Sequence, residues 1–255
     1  MRAATVSNEN EGQGFGKLVL SFVFLSAFFS PLLGGRAGAQ TGESEPPSFG
    51  DKGHVAISAE RMFGYVHATQ TESGTGVATF TSTNNSISLL GSPIIAVSSI
   101  YTFPRIAFDV FAAAGFSVGA SLSYFHLSQT TGSASATSTG SSSTTGGFVA
   151  APRIGFAARL APSVSLWPRA GITYVYASTD NSFGTTQTTY SFHVFAATIE
   201  APLAVSVSPR SLILIGPTAD IALSGYSKTS PGTGGTSTTT KETDYGLQAG
   251  FLLFL

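Results

Sequence analysis

From residue 54 onward, apolar and small polar residues take turns along the chain, with the two-residue period of strands that bury one face. In the run 116–128, Val118, Ala120, Leu122 and Tyr124 share one side, and Gly119, Ser121 and Ser123 share the other. The run 163–178 sets Val164, Leu166, Ile172, Tyr174 and Tyr176 against Ser165, Arg169, Gly171 and Thr173. The run 210–227 sets Ile213, Ile215, Ala219, Ile221 and Leu223 against Thr218, Asp220, Ala222 and Ser224. Strands are predicted over 54–68, 101–112, 116–128, 147–160, 163–178, 188–203, 210–227 and 243–255. Their connections alternate in kind. Those near 113, 162 and 207 are tight, while 69–100, 129–146, 179–187 and 228–242 are longer and rich in Ser, Thr and Gly.

A phrase repeats within this pattern: Pro104-Arg105-Ile106-Ala107-Phe108 returns as Pro152-Arg153-Ile154-Gly155-Phe156, 48 residues on. Each copy leads into a tight turn and comes back as an alternating strand, and a weaker third copy starts at Ala201-Pro202-Leu203. Strand, tight turn, strand and long polar loop, repeated around a sheet, predict an all-β fold: an eight-stranded antiparallel up-and-down transmembrane β-barrel. Within 69–100, the runs 86–90 and 94–98 predict either a projecting hairpin or two more strands of a ten-stranded barrel. Eight is preferred, because the hairpin repeat closes at eight without them.

Composition agrees with a lipid-facing wall. Charged residues are 10% of the chain, against about 25% in ordinary soluble domains. Residues 1–39 read as a signal peptide: Arg2 and Lys17 precede the apolar run 18–33, and Ala37-Gly38-Ala39 fits a small-x-small cleavage site. A polar leader then spans 40–53, and the barrel 54–255. Taking Arg2, Lys17 and Arg36 from the 12 basic residues, and Glu9 and Glu11 from the 13 acidic ones, leaves a net charge of −2. That balance offers no basic surface, so no nucleic-acid partner is expected. The absence of cysteine excludes disulfides and thiolate metal sites. No second apolar run is long enough for a spanning helix, and a closed barrel is the other way to satisfy a backbone in hydrocarbon.

Alternation sends most strand charges inward. Glu60, Arg105, Asp109, Arg153, Arg169, Glu200 and Asp220 are predicted to meet in the lumen. An eight-stranded interior is just wide enough for side chains to fill, so these charges must pair across it as a structural plug. Arg61 and Arg159 break the pattern. Strict alternation points Arg61 at lipid, where a midplane Arg costs about 2–4 kcal/mol; a bulge or a place near the rim would relieve this. Pro104, Pro152, Pro168, Pro202 and Pro217 mark bulges near the short-turn rim. The four histidines, at 54, 67, 126 and 193, have no spacing suited to a metal, so neither metal nor cofactor is expected.

In the run 243–255, Leu247, Ala249, Phe251, Leu253 and Leu255 occupy every second position up to the carboxyl end. This resembles the C-terminal signal of outer-membrane proteins, although Phe254 precedes a final Leu where that group usually ends in Phe. Over 54–255 the chain resembles the small eight-stranded outer-membrane barrels, the group of the OmpA membrane domain and OmpX. The resemblance implies a bacterial outer-membrane location, lipid contact, assembly by the barrel-assembly machinery through the last strand, and both termini on the periplasmic side. His126 and Ser128 resemble the pair used by outer-membrane lipid A deacylases. A working site needs a carboxylate to orient the His, and the run 147–160 has none. The expectation is therefore an integral outer-membrane barrel with a filled lumen and no catalytic site, serving membrane structure or surface interaction with a ligand the sequence does not name. The alternatives are a narrow porin-like channel and a lipid A hydrolase.

Overall fold

A computed structural model describes residues 48–74, 77–90, 92–95, 99–131, 141–183, 186–231 and 236–255. The expected signal peptide and the leader up to residue 47 lie outside them. Among the described residues there are thirteen strands, numbered in chain order. Eight form the wall: β1 (Val55–Gly74), β4 (Arg105–Phe111), β5 (Phe116–Thr131), β6 (Ser141–Phe156), β9 (Arg169–Phe183), β10 (Thr186–Glu200), β12 (Ser211–Pro231) and β13 (Thr236–Phe254). Each pairs antiparallel with the next. The ring closes where β13 returns to β1, from Ala56↔Phe254 to Ser73↔Thr239. Closure pairs each of these eight strands on both sides in the lower, short-turn half of the ring.

Near the short turns the wall continues in smaller pieces. β7 (Ala158–Ala161) prolongs β6, β8 (Val164–Leu166) leads into β9, and β11 (Leu203–Ser208) prolongs β10. The breaks at Pro168 and Pro202 have a local cause, since proline brings no N–H to the ladder. Pro152 and Pro217, by contrast, stay inside β6 and β12, opposite Ala120 and Leu247. Arg159 lies exposed in β7, close to the short-turn rim.

The second crossing differs from the predicted strand 101–112. β1 runs on to Gly74 and turns into β2 (Val77–Leu89), which pairs with the upper half of β1, from Phe63↔Leu89 to Glu72↔Phe80. β4 pairs with the lower half, from Val55↔Val110 to Glu60↔Arg105. One crossing is thus shared by two strands. Between them lie Leu90, at φ 53°, the short strand β3 (Ser92–Ile95), and a segment 99–104 that turns into the lumen. Ser99, Tyr101 and Thr102 are buried there.

The other expected long loops are also mostly strand. β5 reaches Thr131 and β6 begins at Ser141; β9 reaches Phe183 and β10 begins at Thr186. Thr is a good strand former, and these hydroxyls pair across strands, Thr145 with Thr179 at 2.9 Å and Ser227 with Thr238 at 2.6 Å. A Ser/Thr-rich stretch reads as loop in sequence, yet it serves as sheet when both neighbours are strands.

The predicted faces appear as exposure. Val118, Leu122, Ile172, Ile213, Ile215, Ile221, Leu247 and Phe251 are exposed on the outer surface, while Ser121, Thr173, Thr218 and Asp220 are buried. Ser224 is a correction. Phe195 pairs with Ser224 but Ala196 with Ala222, so Leu223 is an inserted residue that shifts the alternation. Ser224 is therefore exposed, and Ser227 takes the buried side.

Candidate functional site in the lumen

The short-turn end of the lumen is stopped by rings. Phe49, Phe111, Trp167, Leu212, Leu214, Leu252 and Phe254 form one buried cluster. Phe49 stands edge-on to Phe111 and Trp167, both at 5.2 Å between centroids. The end of the predicted polar leader is therefore part of the core, held by Gly115 N–H donating to the Gly50 carbonyl at 2.8 Å.

Above the rings lies the ionic layer. Glu60 receives Arg153 through both carboxylate oxygens, at 2.6 and 2.8 Å, Arg169 at 2.5 Å, and the Ser58 hydroxyl at 2.8 Å. Arg153 also donates to Asp109 from Nε at 3.1 Å and Nη2 at 2.5 Å. Arg169 bridges to Glu200 at 2.7 Å and lies over the Trp167 ring at 4.5 Å. The room for these heads comes from the opposite strands. A Cβ on Gly119 would meet the Asp109 carboxylate, and one on Gly171 would meet the Pro152 carbonyl and the root of the Arg153 side chain.

Arg61 reaches the same layer by a backbone device. The register slips between Ala59 and Phe63 on β1, and Arg61 adopts φ 56°, the left-handed region that non-glycine residues seldom occupy. This bulge turns the side chain from lipid to lumen, where Arg61 is 2% exposed. Its guanidinium bridges Asp220 at 2.8 Å and Glu200 at 3.1 Å and donates to the Tyr101 carbonyl at 2.5 Å. Arg105, though buried, makes no ion pair among the described residues. It donates to Thr173 at 3.4 Å and to the Tyr101 carbonyl at 3.3 Å. The seven residues singled out in the sequence thus all lie buried in one lumen, six of them linked by ion pairs.

Farther toward the long hairpins, Tyr101, Phe125, Val149, Val175, Ala177, Val194 and Ala196 make a second apolar cluster. Phe103 stacks on Phe125 at 4.0 Å and 2°. The inserted segment is tied down by polar contacts as well. Ser99 Oγ donates to Asp244, Ile100 N–H to Glu242 at 3.2 Å, and Tyr101 O–H to the Glu242 carbonyl at 3.4 Å. Glu242 and Asp244 are lumen charges beyond the seven expected from the sequence. Counting back from Leu247 by the same alternation places both inward, so the signal was present. His126 and Ser128 are exposed on β5, and among the described residues no carboxylate hydrogen-bonds His126.

Among solved structures, the outer-membrane protein AlkL in lipid bilayers is similar over 85% of this chain and 97% of its own, with TM-score 0.52 and 10% identity. The fold is that of an outer-membrane β-barrel. OprG from Pseudomonas aeruginosa is similar over 80% of this chain and 97% of its own (TM-score 0.48, 8% identity). The Escherichia coli outer-membrane protease OmpT is similar over 83% and 99% (TM-score 0.38, 8% identity). No protein-family model matches the sequence, and no curated protein matches it. Outer-membrane barrels host unlike activities, so function here rests on side chains and not on the fold.

Proposed function

We propose that this protein is an integral barrel of the bacterial outer membrane that is sealed to ions and carries a rigid sheet collar outside the cell as a surface-interaction module. The sealing rests on three stacked fillings of the lumen: the aromatic stop, the ionic layer and the inserted segment. The observation that carries the surface role is strand length. β1, β12 and β13 have 20, 21 and 19 residues, whereas about 9–11 tilted residues cross a bilayer. Roughly half of each strand therefore stands beyond the apolar band, still hydrogen-bonded as sheet. Short turns facing long hairpins orient such barrels with the hairpins outside, and Tyr65, Tyr124, Tyr226 and Tyr245 mark the boundary as exposed rings.

Two measurements test this reading. The purified barrel in a planar bilayer is expected to show no steady conductance; a stable open level overturns the sealed lumen. The chain has no cysteine, so single cysteines report sidedness cleanly. On whole cells, an impermeant maleimide is expected to label Thr81→Cys in the collar and to spare Ala113→Cys in a short turn. The reverse pattern overturns the orientation.

A further inference from the structure

The buried charges of the lumen do not balance. Arg61, Arg105, Arg153 and Arg169 face six buried carboxylates: Glu60, Asp109, Glu200, Asp220, Glu242 and Asp244. Ion pairs join the first four carboxylates to arginines, and none reaches Glu242 or Asp244 among the described residues. Two carboxylates thus sit together inside the barrel without a cation. A separate observation concerns Asp244 itself. It is 2% exposed, and its Oδ1 is buried with no hydrogen-bond partner, while Ser99 occupies the other oxygen. A buried acceptor that no protein donor reaches is suited to a positive charge.

We propose that Glu242 and Asp244 bind a divalent cation of calcium's class at the long-hairpin end of the lumen. The donors at hand are hard oxygens only: two carboxylates, the Ser99 hydroxyl, and water for the remaining positions. Calcium accepts such a mixed, flexible oxygen set, whereas magnesium demands a stricter octahedron. One divalent ion cancels the two unpaired negative charges. It also draws β13 to Ser99, so that the ion latches the segment 99–104 into the lumen. Arg61 and Arg105 hold the same segment from the other side, through the Tyr101 carbonyl.

The test uses the mature barrel refolded in detergent free of lipopolysaccharide and stripped with chelator. Calorimetric titration with calcium chloride is expected to show one ion per barrel, with affinity in about the 10⁻⁴–10⁻³ M range of other extracellular calcium sites. Glu242→Gln with Asp244→Asn is expected to weaken binding roughly tenfold or more, while heat-modifiable gel migration reports that the barrel remains folded. Should the double variant not fold, Asp244→Asn alone is measured, with the same loss expected. Terbium emission sensitised by the neighbouring tyrosines is expected to be displaced by calcium in the wild type and to be lost in the carboxamide variants. No saturable calcium heat in the wild type, unchanged binding in the carboxamide variants, or terbium emission that survives in them each overturns the site.

Discussion

The two halves of the lumen are built on different principles. Toward the short turns, the ring is closed by β4, rings stop the end, and arginines meet carboxylates at 2.5–3.6 Å. Toward the long hairpins, β2 replaces β4 beside β1, a piece of chain folds inward as filling, and two carboxylates lack cationic partners among the described residues. The lower half is specified by alternation along strands, and its contacts are between wall and wall. The upper half is specified by one insertion, and its contacts are between wall and plug. Loss of a single lower residue should therefore be felt across several strands, whereas an upper contact should be felt locally.

Arg153→Ala is the strongest way to test that contrast. It removes the partner shared by Glu60 and Asp109 and should cost about 3–5 kcal/mol, because Asp109 is left buried without a cation while Glu60 keeps only Arg169. Unfolding by denaturant in lipid vesicles, followed by gel shift, measures it. If Arg153→Ala costs no more than Arg105→Ala, which breaks no ion pair, the lower network is not the organising element. Next in size is Ile215→Arg on the outward face of β12. A charge placed there against lipid should cost about 2–4 kcal/mol in the same assay. A smaller loss, about 0.5–1.5 kcal/mol, is expected for Phe103→Leu, which keeps an apolar side chain but removes the stacked ring on Phe125. Smallest of all, Thr81→Arg in the collar should stay within about 0.5 kcal/mol. A cost there like that of Ile215→Arg would put the collar inside the bilayer.

Much of this architecture can be read from alternation alone. Counting by twos places Asp109, Arg153, Arg169, Glu200 and Asp220 inward and the apolar partners outward, because a closed wall gives each residue only two directions to face. Where counting fails, an inserted residue is the cause. Arg61 enters the lumen through a left-handed residue that is not glycine, and Leu223 shifts the phase on β12. Neither leaves a mark in the composition around it. The split crossing was hidden for another reason. Residues 69–89 are rich in Thr, Ser and Asn and read as loop, but their strand partner lies on the neighbouring half of the same hairpin. Glu242 and Asp244 face inward by the same parity, although they border a polar stretch.

The pairing of β1 with β13 carries a consequence for biogenesis. Ala56 finds Phe254 as its neighbour, so the earliest crossing stays half-satisfied until the latest one is delivered. Cylinder formation is then a concluding event, with little reward for intermediates and a large one for the finished loop. Until that last strand arrives, the open margins of the sheet carry unpaired N–H and C=O groups, a template for any passing strand.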